Sequence, residues 1–152
     1  MSARANTPVD SHRNFAGLHI GIDVVLISHV RKSLTDFGDR FIRRLFSAQE
    51  ATYANESAGV VAERLAARFA AKEATLKAFD LCDSGINWRD IEVVKTASGA
   101  CRLMLHGRAA ELVAKTGVNE VSLSMSHDGD YATAVVAAIR IPKISDCASQ
   151  AP

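Results

Sequence analysis

The stretch VVAERLAARFAAKEATLKAF, Val60 to Phe79, decides the fold. It is about twenty residues rich in Ala and Leu, with no Gly or Pro inside, and its propensity predicts the longest helix of the chain. Within it Leu65, Phe69, Glu73 and Leu76 recur at i, i+4, i+8 and i+11, which puts the carboxylate of Glu73 in the apolar stripe. An ionised carboxylate is costly to bury alone, so a cation should meet it. Lys77 lies one turn on, and Glu before Lys at i, i+4 is the favourable order. The same spacing is also that of an ordinary helix-face pair at the edge of a stripe.

Working outward toward the N-terminus, Leu18 to Val25 alternates as a strand, with Leu18, Ile20, Ile22 and Val24 on one face and His19, Gly21, Asp23 and Val25 on the other. From Ser28, Val30, Leu34 and Phe37 return at helical spacing, and Gly38 stands where a helix C′ residue would. Asp39 to Phe46 reads as a short basic helix, and Ser47-Ala48-Gln49-Glu50 matches a capping box opening another. Toward the C-terminus, Ile91–Lys95 and Cys101–Leu105 form a hairpin, Gly107–Thr116 a helix, and Val121–Ser126 with Tyr131–Ile139 a second hairpin around Asp128-Gly129. The order β-α-α-α-β-β-α-β-β predicts an α+β fold, a mostly antiparallel sheet packed against a long helix and shorter ones. Residues 1–16 and 143–152 are polar and aperiodic and are expected to be disordered tails around one domain, 17–142.

Composition narrows the function. A chain of 152 residues with 48% hydrophobic and 23% charged residues is an ordinary globular one. The longest uncharged apolar stretch, Tyr131 to Ile139, is far short of a membrane span. Eighteen basic against seventeen acidic side chains leave +1, so no global field draws in nucleic acid or anionic lipid. The three cysteines, Cys82, Cys101 and Cys147, are odd in number and form no C-x-x-C pair; this argues against a disulfide framework or zinc site and suits a reducing compartment. With no apolar signal region at the start, the cytoplasm is the expected location.

A few residues suggest chemistry. Asp23 is an acidic residue inside a β-branched strand, disfavoured there unless it faces solvent or a ligand. Asp23 and Glu73 together suit a hard cation such as Mg²⁺, which takes one or two protein carboxylates and completes its shell with water and phosphate oxygens. His127 stands at the start of the second hairpin's turn, placed either for solvent or for a ligand. Arg31, Lys32, Arg40, Arg43 and Arg44 cluster against only Asp36 and Asp39, either as a solvated face or as a docking patch for an acidic protein. Without interleaved aromatics, nucleic acid is not the expected partner.

These residues resemble a known family. Gly21-Ile22-Asp23-Val24-Val25, Phe46-Ser47-Ala48-Gln49-Glu50, Leu65 to Phe79, Gly85 to Val93 and Ser122-Leu123-Ser124-Met125-Ser126-His127 are similar, in order, to the holo-[acyl-carrier-protein] synthases, the small class of the 4′-phosphopantetheinyl transferase superfamily. The resemblance covers about residues 18–140, and its most specific part is the R-F-A-A-K-E-A-x-x-K-A segment. It implies a Mg²⁺-dependent transfer of the 4′-phosphopantetheine arm of coenzyme A to a serine of an apo acyl carrier protein, releasing adenosine 3′,5′-bisphosphate. By the same resemblance Asp23 and Glu73 match the metal-binding carboxylates and Lys77 a lysine near the transferred phosphate. His127 matches a residue of the coenzyme site, and Arg68 an arginine that holds the nucleotide. A homotrimer with active sites at subunit interfaces is implied, and an acidic carrier gives the Arg31–Arg44 patch a purpose.

Some positions depart from the family pattern. Leu26 and His29 stand where a glutamate and a carrier-docking arginine are usual, Asp80-Leu81-Cys82 replaces a Gly-Thr-Gly loop, and Asp128 replaces a threonine. The alternative they support is a non-catalytic relative that binds carrier protein or coenzyme A without transfer. A metal-dependent hydrolase or nucleotide-binding module using the same carboxylates is a more distant reading.

Overall fold

The computed structural model describes residues 17–141, so the two expected tails lie outside the described residues. β1 (Leu18–Leu26) runs straight into α1 (Ile27–Phe37), followed by α2 (Asp39–Leu45), α3 (Ala48–Asn55) and α4 (Val61–Ala78). A loop and a 3-10 turn (Trp88–Asp90) lead to β2 (Ile91–Lys95), β3 (Cys101–Leu105), α5 (Gly107–Lys115), β4 (Glu120–Asp128) and β5 (Tyr131–Ile139). The fold is α+β and every strand pairing is antiparallel, but the strands divide into two sheets, β1-β5-β4 and β2-β3.

α4 is the axis on which the rest packs. Its small residues Ala66, Ala70, Ala71 and Ala74 are fully buried, as are Ala132, Ala134 and Val136 of β5, so helix and sheet can approach closely. The approach is tightest at Gly21, where a Cβ would stand 1.9 Å from the carbonyl oxygen of Ala74. No side chain fits there, which is why this strand carries a glycine in its interior. One hydrophobic cluster joins the C-terminal half of α4 to β2, α5 and β5; a second joins its N-terminal half to α1, α2 and α3.

The alternation of β1 is present, but its apolar side faces outward. Leu18, Ile20, Ile22 and Val24 are 39–61% exposed. His19 and Gly21, on the opposite side, are buried. His19 belongs there because its Nδ1–H donates to the Ala78 carbonyl at 3.2 Å and its ring lies 5.2 Å from that of Phe79. The outward strip continues onto β5 through Tyr131, Val135 and Ile139.

The second hairpin also turns later than the Asp128-Gly129 signal predicts. Asp128 pairs with Tyr131, so Gly129 and Asp130 form the tip and His127 lies within β4, paired with Ala132. The shift has a physical reason. Gly129 takes the positive φ of 54°, and Asp130 reaches across to α1, accepting from the Ser28 backbone N–H at 2.8 Å and from its hydroxyl at 2.5 Å. Asp130 thereby supplies the cap that α1's own Leu26 cannot.

Candidate active site

Asp23 leaves the inner face of β1 two residues beyond Gly21, and Glu73 leaves α4 one residue before Ala74, where strand and helix are in closest contact. Both line an open cavity of about 600 Å³, together with Leu26 and His29 of the β1–α1 junction, Phe41 of α2 and Phe69 of α4. Burial, reinforced by the charge of Asp23, raises the pKa of Glu73 above the ordinary carboxylate range, while Lys77 opposes the shift. Two carboxylates that each feel the other's charge across a common cavity form a site that attracts a cation.

A cation is already drawn there. Lys77 does not pair with Glu73, the partner its spacing suggests, but donates to Asp23 Oδ1 at 2.7 Å. The hydrogen bond to Asp23 is the main cause of the raised pKa of Lys77. The helix turn brings Lys77 to Asp23 because β1 runs along α4 here. The donor set fits Mg²⁺: among the described residues no third His, Cys, Asp or Glu completes a cage, and Mg²⁺ needs only one or two carboxylates when phosphate and water supply the rest.

Arg68 lies elsewhere. Five residues before Glu73, it points about 140° around α4 from it, and is only 3% exposed. Its Nε has no hydrogen-bond partner in the structure, while another guanidinium nitrogen donates to the Arg64 carbonyl at 3.1 Å. Arg68 and Arg64 lie 4.2 and 4.4 Å from the centre of the Tyr53 ring, and Lys95 donates to the Tyr53 hydroxyl at 3.3 Å. Tyr53, Arg68 and Lys95 line a second cavity of about 390 Å³ together with one carboxylate, Glu56, which lies 3.8 Å from Arg64. This cavity suits an anion, and it shares no lining residue with the Asp23–Glu73 cavity.

Sequence reasoning missed Tyr53, Arg64 and Lys95, whose relation to Arg68 depends on how α3 and β2 pack on α4. It also missed Lys72, Glu73's neighbour. Lys72 is fully buried, 2.8 Å from Glu50 Oε2, and donates to the carbonyls of Trp88 (3.0 Å) and Ile91. Glu50 in turn accepts from the backbone N–H groups of Val93 (3.0 Å) and Ser47 (2.9 Å), the latter completing the expected capping box. Burial lowers the pKa of Lys72 against the opposing pull of Glu50.

His127 is exposed on β4, on the same sheet side as Asp23 but on the far strand. The register puts the two backbones about 12 Å apart, two strand spacings across and one side-chain repeat along. The basic cluster divides: Arg31 pairs with Glu63 at 3.0 Å and Arg43 with Asp39 at 3.5 Å, while Arg40 and Arg44 are exposed on α2. Asp80 takes a backbone conformation that ordinarily favours glycine. It adopts φ 54°, and the bonds Leu81 N–H to Leu76 O (2.8 Å) and Asp80 N–H to Lys77 O (3.4 Å) close α4 with a Schellman turn.

Comparison with known proteins adds an independent line. A family model described as 4′-phosphopantetheinyl transferase superfamily matches residues 19–136. A holo-[acyl-carrier-protein] synthase of Koribacter versatilis is 40% identical over 120 residues, covering 78% of this chain and 95% of its own. One of Gloeobacter violaceus is 42% identical over 120 residues, covering 79% and 91%. The solved structure of a Chronobacterium ammoniagenes ACPS–CoA complex superposes with a TM-score of 0.72 at 34% identity, covering 82% of this chain and 98% of that one. Ordered motifs, a shared fold and matches spanning nearly the whole of each relative lead to one assignment: the chain belongs to the 4′-phosphopantetheinyl transferase superfamily.

Proposed function

We infer that the chain is a holo-[acyl-carrier-protein] synthase. It transfers 4′-phosphopantetheine from coenzyme A to a serine of an apo acyl carrier protein and releases adenosine 3′,5′-bisphosphate. The observation that carries this reading is the meeting of Asp23 and Glu73 on one cavity, with Lys77 at its edge, in a chain about 40% identical to such synthases.

The reaction forms a bond between the serine oxygen and the phosphorus that bears the pantetheine arm, and breaks the pyrophosphate bond to the nucleotide. It asks mainly for positioning and for charge neutralisation. Asp23 and Glu73 are the residues that would hold Mg²⁺, which when bound neutralises the pyrophosphate and the departing bisphosphate. Lys77, on its flexible stem, leaves Asp23 for the phosphate and adds a second positive charge. Glu73 and Asp23, both lining the cavity, stand where the proton of the serine hydroxyl can be taken up. Arg68, with Tyr53 and Lys95, grips the anionic nucleotide end, and His127 contacts the coenzyme from β4.

We also propose a homotrimer. In one chain the carboxylate and arginine cavities lie on different sides of α4, so a single coenzyme reaching both draws on two chains. The outward apolar strip of β1 and β5 is the surface such an assembly would cover. Cys82 and Cys101 are free thiols, which fits the cytoplasm, and no helix among the described residues is long and apolar enough to cross a membrane.

Incubation of the chain with coenzyme A, Mg²⁺ and a panel of apo acyl carrier proteins tests the activity by the mass each carrier gains. Addition of the phosphopantetheine mass to the carrier serine, abolished by chelator, is the expected result. Folded protein that binds carrier yet modifies none would instead support the non-catalytic alternative.

A further inference from the structure

Glu92 and His106 take no part in the transfer described above, yet they form the outer end of a hydrogen-bonded chain that runs into the core. His106 Nε2 lies 2.9 Å from Glu92 Oε2, and the Ser47 hydroxyl donates to Glu92 Oε1 at 2.5 Å. Burial alone would raise the pKa of Glu92, but the hydrogen bonds from Ser47 and His106 outweigh it and hold the carboxyl below its ordinary range. A carboxylate can only accept, so Nε2 carries the imidazole proton. The ring is presented from a well-held backbone. The His106 N–H donates to the Asp90 carbonyl at 2.7 Å, and the His106 carbonyl accepts from the Ala110 N–H at 3.1 Å in the first turn of α5.

The inner end of the chain joins two elements. Ser47 is the N-cap of α3, its Oγ accepting from the Glu50 N–H at 3.2 Å. Glu50 Oε1 in turn accepts from the N–H of Val93, the residue after Glu92, at 3.0 Å. Two consecutive residues of β2 therefore hold the first turn of α3, Glu92 through the Ser47 hydroxyl and Val93 through the Glu50 carboxylate. The same two elements are walls of the Arg68 cavity, to which α3 contributes Tyr53 and β2 contributes Val93 and Lys95. Where β2 stands against α3 decides where Lys95 meets the Tyr53 hydroxyl, now at 3.3 Å, and how the Tyr53 ring covers Arg68, now at 4.2 Å. The Asp23–Glu73 cavity is lined by neither α3 nor β2.

We propose that Glu92, oriented by His106, is a positioning residue for the nucleotide end of the donor: it ties β2 to the cap of α3 and so sets the Tyr53–Arg68–Lys95 cavity to the shape that grips the anion. It acts through Ser47 and touches no ligand itself. This rests on the transferase reading for what the cavity receives. Of the two links, the one through Glu50 is sealed in the core with Lys72, whereas the one through Glu92 ends in a half-exposed imidazole. The outer link can therefore be cut while the inner one keeps the chain folded, and its loss falls on ligand affinity more than on the fold.

The test pairs calorimetry of adenosine 3′,5′-bisphosphate binding to the full chain with transfer kinetics at saturating Mg²⁺ and apo carrier. Glu92→Ala is expected to weaken bisphosphate binding and raise the KM for coenzyme A by about tenfold, with kcat within about twofold of the parent. Glu92→Gln should restore both to within about threefold, because its amide accepts from Ser47 and donates to the other tautomer of His106. Val113→Ala, a core truncation on α5, should lower stability and leave both values unchanged. Should Glu92→Ala unfold the chain, His106→Ala removes the outer arm of the link, with an expected rise in KM of about threefold. Unchanged affinity in Glu92→Ala, a fall in kcat in place of the rise in KM, a Gln variant as impaired as the Ala one, or an equal loss in Val113→Ala overturns the proposal. So does a parent that binds no bisphosphate. A parent that binds it and loses it in Glu92→Ala, yet modifies no carrier, would refute the transferase reading and leave the positioning role standing.

Discussion

Lys72 and Glu73 are neighbours in the chain and opposites in physical state. Lys72 is sealed: fully buried, ion-paired with Glu50 and donating to two carbonyls, it has a partner for each of its three protons. Glu73 is half-open and pushed toward neutrality by burial and by Asp23 across an open cavity. One step along α4 thus separates a charge whose needs the fold has met from one whose needs it has left open. A satisfied buried pair holds α3, α4 and the Trp88–Asp90 turn together; an unsatisfied cluster on the next face is free to take a ligand. A perturbed pKa marks function only when the geometry around it is incomplete.

The sharpest way to break the contrast is Lys72→Met. It strands the Glu50 carboxylate in the core, and the expected cost is about 3–5 kcal/mol, read by denaturant unfolding. A loss below 1 kcal/mol would mean that the pair is not the clamp described.

Glu73→Gln tests the other side and should lower transfer by about 100-fold or more without loss of stability. Its pH dependence has a definite sign. Because its folded pKa is raised, Glu73 binds more protons in the folded state than in the unfolded state between the ordinary carboxylate pKa and the raised one. Stability contributed at lower pH is therefore lost as pH rises through that window. The Gln variant should match the parent in stability at pH 4 and exceed it at pH 7; the reverse order would show that Glu73 is held by a structural partner.

The smallest effect belongs to Lys77→Met. Freed of its half-exposed ion pair, Asp23 should bind Mn²⁺ or Mg²⁺ up to about fivefold more tightly without coenzyme A, by direct titration. Unchanged or weaker metal binding would show that Lys77 does not compete with the cation.

The chain displays one side of this contrast more plainly than the other. The Val60–Phe79 pattern gave α4 to within a residue at each end, because propensity and the absence of breakers are local properties. The Ser47–Glu50 box was legible for the same reason. Asp23 and Glu73 stood out because carboxylates contradict an apolar strand and stripe. Lys72 did not, since a lysine on a helix is ordinary until α3 and β2 close over it. Alternation in β1 fixed which residues share a side but not which side faces inward; His19 and the interior Gly21 were the available clue.

The two-residue tip between β4 and β5 is bound on both sides, since Asp130 closes the hairpin and also holds the first turn of α1. Hairpin tips are ordinarily where chains accept insertions most freely. This one has lost that freedom, because an added residue would carry Asp130 away from Ser28 and unpin a helix from the opposite end of the polypeptide. Length variation is better tolerated at the other hairpin's tip, Ala97–Ala100, whose hydrogen bonds stay within the hairpin itself.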